Sequence, residues 1–88
     1  MTYEILYNEI KIGILEINAE GRHRYTPDAK GVEAVKDEAP LTTAMKTKSD
    51  WIEPIPFFKN RINNAKRFSK ENDIRSHTDK FRMVALSS

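Results

Sequence analysis

Apolar and polar residues alternate along the first quarter of the chain, and this period of two is the pattern of pleated β-strands. It predicts two strands separated by a turn at residues 8–9, with apolar positions at Tyr3, Ile5 and Tyr7 and then at Ile10, Ile12 and Ile14. Beyond Gly13 the apolar positions shift to Leu15 and Ile17. A shift of phase at a glycine indicates a β-bulge, since one extra residue turns the following side chains to the opposite face. A strand that is buried on both faces would give the same pattern.

A hairpin and a third strand are expected next. Residues 18–21 have the composition of a four-residue hairpin loop in which Gly21 can take a positive φ. Residues 22–26 then alternate as a strand. Three strands joined by short turns predict an antiparallel meander.

A short helix is predicted after the meander. Thr26 is expected to cap it, Pro27 to occupy its first position, and Asp28 to interact favourably with the positive end of its dipole. Gly31 lowers helix propensity by about 1 kcal/mol relative to alanine. We therefore expect this helix to be brief and to end before Pro40.

The most regular pattern lies in the second half of the chain and predicts a long amphipathic helix. Its apolar residues recur at intervals of three and four, which places them on one stripe of an α-helix: Ile55, Phe58, Ile62, Ala65 and Phe68. Pro54 and Pro56 must lie at or before the first turn, because a proline deeper in a helix removes a hydrogen bond and clashes.

Segments without an apolar period flank this helix. Residues 40–50 predict a loop that is either functional or mobile, and residues 70–78 are polar and typical of turns. Residues 81–86 alternate again and predict a final strand. The order βββααβ predicts an α+β fold in which one long helix packs on one face of an antiparallel sheet of about four strands. We expect a single small domain over residues 1–88, with a frayed tail at residues 87–88.

Composition limits the class of protein. The 88 residues include 39% hydrophobic and 32% charged side chains, so the core is expected to be thin. The chain has no cysteine, which excludes a disulfide framework and thiolate chemistry. No apolar run approaches the roughly eighteen residues of a membrane helix, and residues 1–4 do not resemble a secretory signal. These features predict a cytoplasmic protein with no membrane partner.

Candidate catalytic and metal-ligating residues are few. His23 and His77 are the two imidazoles, and neither has a second ligand at the close spacing that zinc sites use. His23 is expected to be a half-exposed sheet residue. Ser76 is adjacent to His77, but adjacent residues rarely provide the geometry of a nucleophile and its base. We therefore expect neither an enzyme nor a cofactor or metal site.

Charge is unevenly distributed and suggests one kind of partner. The net charge is +2, but residues 1–44 hold five basic and eight acidic side chains, whereas residues 45–88 hold ten basic and five acidic. Five basic residues fall within twelve positions that contain no acid: Lys59, Arg61, Lys66, Arg67 and Lys70. Asparagines are interleaved with them, and a helix with such a face can bind nucleic acid. The alternative is a solvated helix surface.

An apolar run before and within the first turn of the long helix suggests a second kind of partner. Residues 51–58 contain the only tryptophan and two of the four phenylalanines. Such aromatic side chains are enriched at the centres of protein interfaces. Trp51, Ile52 and Phe57 are therefore the candidate partner-binding residues. The alternative is that the run closes one end of a thin core.

The order of several motifs resembles the small N-terminal subdomain of HipA-type toxin kinases. The residues that carry the likeness are Ile12-Gly13-Ile14-Leu15, Gly21 through Asp28, Pro40-Leu41 and Pro56-Phe57-Phe58. The resemblance covers about residues 5–60 and includes no catalytic motif. Lys59-Asn60-Arg61-Ile62 follows the paired phenylalanines in place of the glycine-bearing continuation of that subdomain. The resemblance therefore implies no activity and no site residue for this chain.

The leading interpretation is a non-enzymatic binding or regulatory protein that acts through contact with an unidentified protein. The alternative is a nucleic-acid-binding protein that uses the basic face of the helix around residues 56–70. Salt discriminates between them, because contacts to phosphates weaken steeply as salt rises and apolar protein contacts do not.

Overall fold

The computed structural model describes residues 1–37, 47–48, 50–67, 73–75 and 80–86. Within these residues the order of elements is βββααββ. The strands are β1 (Thr2–Tyr7), β2 (Ile10–Ile17), β3 (His23–Pro27), β4 (Asp73–Arg75) and β5 (Phe81–Leu86), and the helices are α1 (Ala29–Val35) and α2 (Pro56–Arg67). The α+β class predicted from the sequence is confirmed.

All neighbouring strands are antiparallel and lie in the order β3-β2-β1-β5-β4. The first three form the predicted meander, and β5 returns to pair with β1. The prediction of about four strands missed β4, which lies in the segment predicted to form turns and pairs with β5. This strand has three residues and one buried apolar side chain, Ile74. Such a segment is too short to show a period, so its strand conformation depends on pairing with β5.

The predicted β-bulge lies in β2. Ile5 pairs with Gly13 and Leu6 pairs with Lys11, so Ile12 is the extra residue between the two pairs. Ile12 and Leu15 are both fully buried although they are three positions apart. The extra residue therefore explains the change of apolar phase along this strand.

The bulge also receives the ring of Tyr25 from β3. The Tyr25 hydroxyl donates to the Ile12 carbonyl at 3.1 Å, and a Cβ at Gly13 would overlap that hydroxyl. Burial, together with the charge of Asp28, raises the pKa of Tyr25. The phenol therefore stays protonated and able to donate.

Helix α1 begins two residues later than the sequence suggested. Pro27 is the last residue of β3 and pairs with Gly13, and Thr26 pairs with Ile14, so neither belongs to the helix start. Asp28 is the N-cap, and its side chain accepts the N–H of Gly31 at 2.9 Å. The pairing of β3 with β2 continues to Pro27, further than local propensity indicated, so the N-cap of α1 is Asp28 and not Thr26.

The core lies between one face of the sheet and both helices. The described members of the predicted stripe, namely Ile55, Phe58, Ile62 and Ala65, are all buried; Phe68 lies outside the described residues. Helix α2 contacts strands far apart in the sheet order, because the rings of Phe58 and Tyr25 are 5.4 Å apart and those of Phe57 and Phe81 are 4.9 Å apart. Helix α1 adds Val35 to the same core.

Two other expectations fall largely or wholly outside the described residues. These are the loop at 40–50, of which residues 47, 48 and 50 are described and exposed, and the tail at 87–88. Neither helix of the described chain is long and apolar enough to cross a membrane.

Gly31 is required by the close approach of α1 to β2. A Cβ at this position would overlap the carbonyl oxygen of Lys11 and lie 2.7 Å from its carbonyl carbon. We expect Gly31→Ala to lower the free energy of unfolding by about 1–3 kcal/mol, the cost of overpacking. In an unhindered helix the same change would stabilise by about 1 kcal/mol.

Urea denaturation measures this difference. The control is Ala34→Gly, at an exposed position of the same helix, which should cost no more than about 1 kcal/mol. A Gly31→Ala variant more stable than wild type would show that α1 does not approach β2 this closely.

Candidate functional site

The face of the sheet opposite the two helices is open in the part of the chain that the structure describes. We call it the uncovered face. Residues paired across antiparallel strands project to the same side, so the registers give its three rows. The first row consists of Arg24, Glu16, Thr2 and Leu86. The second row consists of Thr26, Ile14, Glu4, Val84 and Asp73. The third row consists of Lys11, Leu6, Arg82 and Arg75.

An apolar strip crosses the uncovered face on both sides of Glu4. It consists of Leu6, Ile14, Val84 and Leu86, on the three central strands. Leu6 is 8% exposed, whereas Leu86 is 37% exposed, and the other two are half-buried. A solvated face of an antiparallel sheet is normally polar. Here the central strands carry aliphatic side chains on both faces, which leaves apolar surface in contact with water.

Ion pairs lie on both sides of the strip. On one side, Arg24 donates two hydrogen bonds to Glu16, both at 3.1 Å. On the other side, Arg82 donates to Asp73 at 2.8 and 3.0 Å and to Glu9 at 2.7 Å. Hydrogen bonds from Arg82 lower the pKa of Asp73 to about 2. The charged margins are thus largely paired within the molecule.

The segment before α2 extends the uncovered face at the edge of β3. Ile52 and His23 exchange two backbone hydrogen bonds, of 3.0 and 2.9 Å. This antiparallel register sets Trp51 opposite Arg24, whose guanidinium carbon lies 4.5 Å from the centroid of the indole ring. Trp51 therefore continues the row of the uncovered face that contains Arg24.

His23 joins this segment to the core. The sequence predicted a half-exposed imidazole, which is wrong, because the side chain is 3% exposed. Its Nδ1 atom accepts the backbone N–H of Ile55 at 3.1 Å. Burial, and to a smaller extent the charge of Lys59, lower the pKa of His23. The neutral imidazole is the form that this hydrogen bond requires.

The three residues proposed from sequence as partner-binding have different surroundings. Trp51 is half-buried against Arg24, and Ile52 is 38% exposed at the sheet edge. Phe57 packs inward, with its ring centroid 4.9 Å from that of Phe81 and 3.7 Å from the guanidinium carbon of Arg61. The structure thus places Trp51 on the uncovered face, Ile52 on the opposite side of the same edge because it pairs with His23, and Phe57 against the core.

The basic residues predicted to bind nucleic acid also differ in their surroundings. Lys59, Lys66 and Arg67 are exposed, and none of them forms an ion pair with a described carboxylate. Arg61 is half-buried over Phe57 and donates to its carbonyl oxygen at 3.3 Å. Lys70 lies outside the described residues. Three side chains therefore remain as a candidate anion-binding surface.

The described residues contain no group of three or more His, Asp or Glu side chains that could hold a metal ion. Ser76 and His77, which the sequence did not favour as a catalytic pair, lie outside the described residues.

Sequence reasoning did not single out the uncovered face, although a signal was present. Leu6, Val84 and Leu86 fall in the polar phase of their strands, and Ile14 falls out of phase with Leu15. Apolar residues in both phases of three strands indicate a sheet that is apolar on both sides. Recognising the site also requires knowing that the three strands are neighbours.

Comparison with protein-family models, with curated proteins and with solved structures finds no match to this chain.

The buried imidazole predicts a pH dependence. The pKa of His23 is lower in the folded chain than its ordinary value of 6.5, so the unfolded chain binds the proton more readily. The free energy of unfolding should be independent of this group above about pH 6.5 and should fall as the pH drops below it, by up to about 1.4 kcal/mol per pH unit.

The test is urea denaturation at pH 7.5, 6.5 and 5.5. His23→Asn, which retains a side-chain acceptor, should remove this pH dependence. His77→Asn should retain it. Equal stability of the wild type at pH 7.5 and 5.5 would contradict the buried, neutral His23.

Proposed function

We propose that this chain is a non-enzymatic protein-binding module and that the uncovered face is its binding surface. The observation that carries the proposal is the apolar strip on the side of the sheet opposite the two described helices. Burying such a strip against a partner removes apolar surface from water, at about 25 cal/mol per Å². The compartment expected for such a module is the cytoplasm.

The composition of the surface suits a protein partner. Tryptophan and arginine are enriched in protein interfaces, and Trp51 with Arg24 forms such a pair at the edge of the uncovered face. Acidic side chains also lie on this face, including Glu4 and Glu16. Because basic side chains, including Arg24 and Lys11, lie beside them, the face matches a protein surface, which offers both signs of charge, better than a polyanion.

Affinity capture of the tagged chain from its host cells, with and without Val84→Lys, tests this function. Val84 is half-buried in the middle of the strip, so a lysine there keeps the strand paired while making the strip charged. We expect the variant to recover at least about tenfold less of the captured protein, since a charge that loses solvent in an interface is costly.

The matched control changes a different surface. Lys59→Gln with Lys66→Gln alters α2 and should leave the recovered proteins unchanged. Nuclease treatment and a wash at high salt remove material held through nucleic acid. If Val84→Lys recovers the same proteins in the same amounts as wild type, the uncovered face is not the binding surface.

A second candidate function rests on α2. Lys59, Lys66 and Arg67 are exposed and form no ion pair among the described residues. The described acids of the N-terminal half that form ion pairs do so with other cations, for example Glu16 with Arg24. This leaves the positive charge of the helix available to phosphates, as nucleic-acid binding through α2 requires.

Binding to single- and double-stranded oligonucleotides at low salt tests the second candidate. Replacing Lys59, Arg67 and Lys70 together by glutamine should weaken binding. It should also flatten the dependence of log affinity on log salt by nearly three for duplex DNA, at about 0.9 per phosphate contact. If the unchanged protein does not bind at low ionic strength, α2 is not a nucleic-acid surface.

A further inference from the structure

We propose that the partner of the uncovered face is a second copy of this chain, packed face to face about a twofold axis. The proposal rests on the function proposed above. Four side chains on β1 and β2 carry it: Glu4, Leu6, Lys11 and Ile14. We call them the β1–β2 quartet.

The strand register places the quartet at the corners of a near-rectangle. Glu4 pairs with Ile14, and Leu6 pairs with Lys11. The two charges therefore occupy one diagonal and the two aliphatic side chains occupy the other. Lys11 and Ile14 are three residues apart and share a face only because the bulge at Ile12 adds a residue between them.

Neither charge of the quartet is paired within the described chain. Lys11 is exposed and Glu4 is half-buried, and no described residue forms an ion pair with either of them. Glu4 lies between Ile14 and Val84 in its row. A carboxylate with apolar neighbours on both sides favours a partner that brings a cation to that position together with apolar surface.

A second copy provides both features by symmetry. Two sheets packed face to face lie about 10 Å apart, and a twofold axis between them makes every contact occur twice. An axis along the Leu6–Ile14 diagonal brings the Glu4 of each copy close to the position opposite Lys11 of the other, within reach of the long lysine side chain. Each Glu4 then faces the Lys11 of the other copy, and Leu6 and Ile14 meet their own counterparts. The quartet is complementary to itself in charge and in hydrophobicity.

The charge pattern gives a test that needs no other ligand. Sedimentation velocity over a range of concentrations measures the dissociation constant of the wild type, of Glu4→Lys and of Lys11→Glu. We expect a concentration-dependent dimer for the wild type and a dissociation constant at least about tenfold higher for each variant, because like charges then face each other twice. An equimolar mixture of the two variants should associate as the wild type does, since opposite charges meet again at both positions.

Circular dichroism verifies that each variant is folded, and Lys30→Glu, an equal charge change at an exposed position of α1, should leave the dissociation constant unaltered. A wild type that stays monomeric at all concentrations overturns the proposal. Variants that dimerise as tightly as wild type, or a mixture that does not associate, overturn it as well. The wild type can also prove monomeric while Val84→Lys still abolishes capture of other proteins. In that case the uncovered face binds a different protein, so the second copy is rejected and the proposed function stands.

Discussion

The carbonyl group of Ile12, the extra residue of the β-bulge in β2, accepts two hydrogen bonds that join β3 and the start of α1 to this strand. One comes from the hydroxyl of Tyr25 at 3.1 Å and the other from the backbone N–H of Asp28 at 2.8 Å. A buried carbonyl without donors is costly, so both donors are held where the bulge places the acceptor. Asp28 in turn caps α1, and Gly31 allows the helix to contact the backbone at Lys11. The end of β3 and the start of α1 are thus both held against β2 beside the bulge.

The same extra residue determines what each face of the sheet presents. On the core side it allows Ile12 and Leu15 to be buried together. On the other side it allows Lys11 and Ile14 to share the uncovered face. A regular strand would turn one member of each pair to the wrong side, because side chains alternate with a period of two. The core and the proposed binding surface therefore depend on one irregularity in the backbone.

The edge of β3 is joined to the start of α2 by His23. Its backbone pairs with Ile52 and its imidazole accepts the N–H of Ile55, which directs the chain from the sheet edge into the helix. This connection sets Trp51 beside Arg24 on the uncovered face and lets Phe58 meet the ring of Tyr25 in the core. The site and the core are therefore positioned by a contact between segments about thirty residues apart.

Local sequence determined the α+β class, the meander, the last strand and the buried stripe of α2, and it indicated the bulge in β2, because each depends on a period or a glycine within a few residues. The same reasoning missed β4, placed the cap of α1 at Thr26 and left His23 half-exposed. Those features depend on pairing with β5, on the continued pairing of β3 with β2, and on the edge contact of Ile52, which are all non-local. The uncovered face has the same origin: its aliphatic residues are visible in the sequence, but only the strand order makes them one surface.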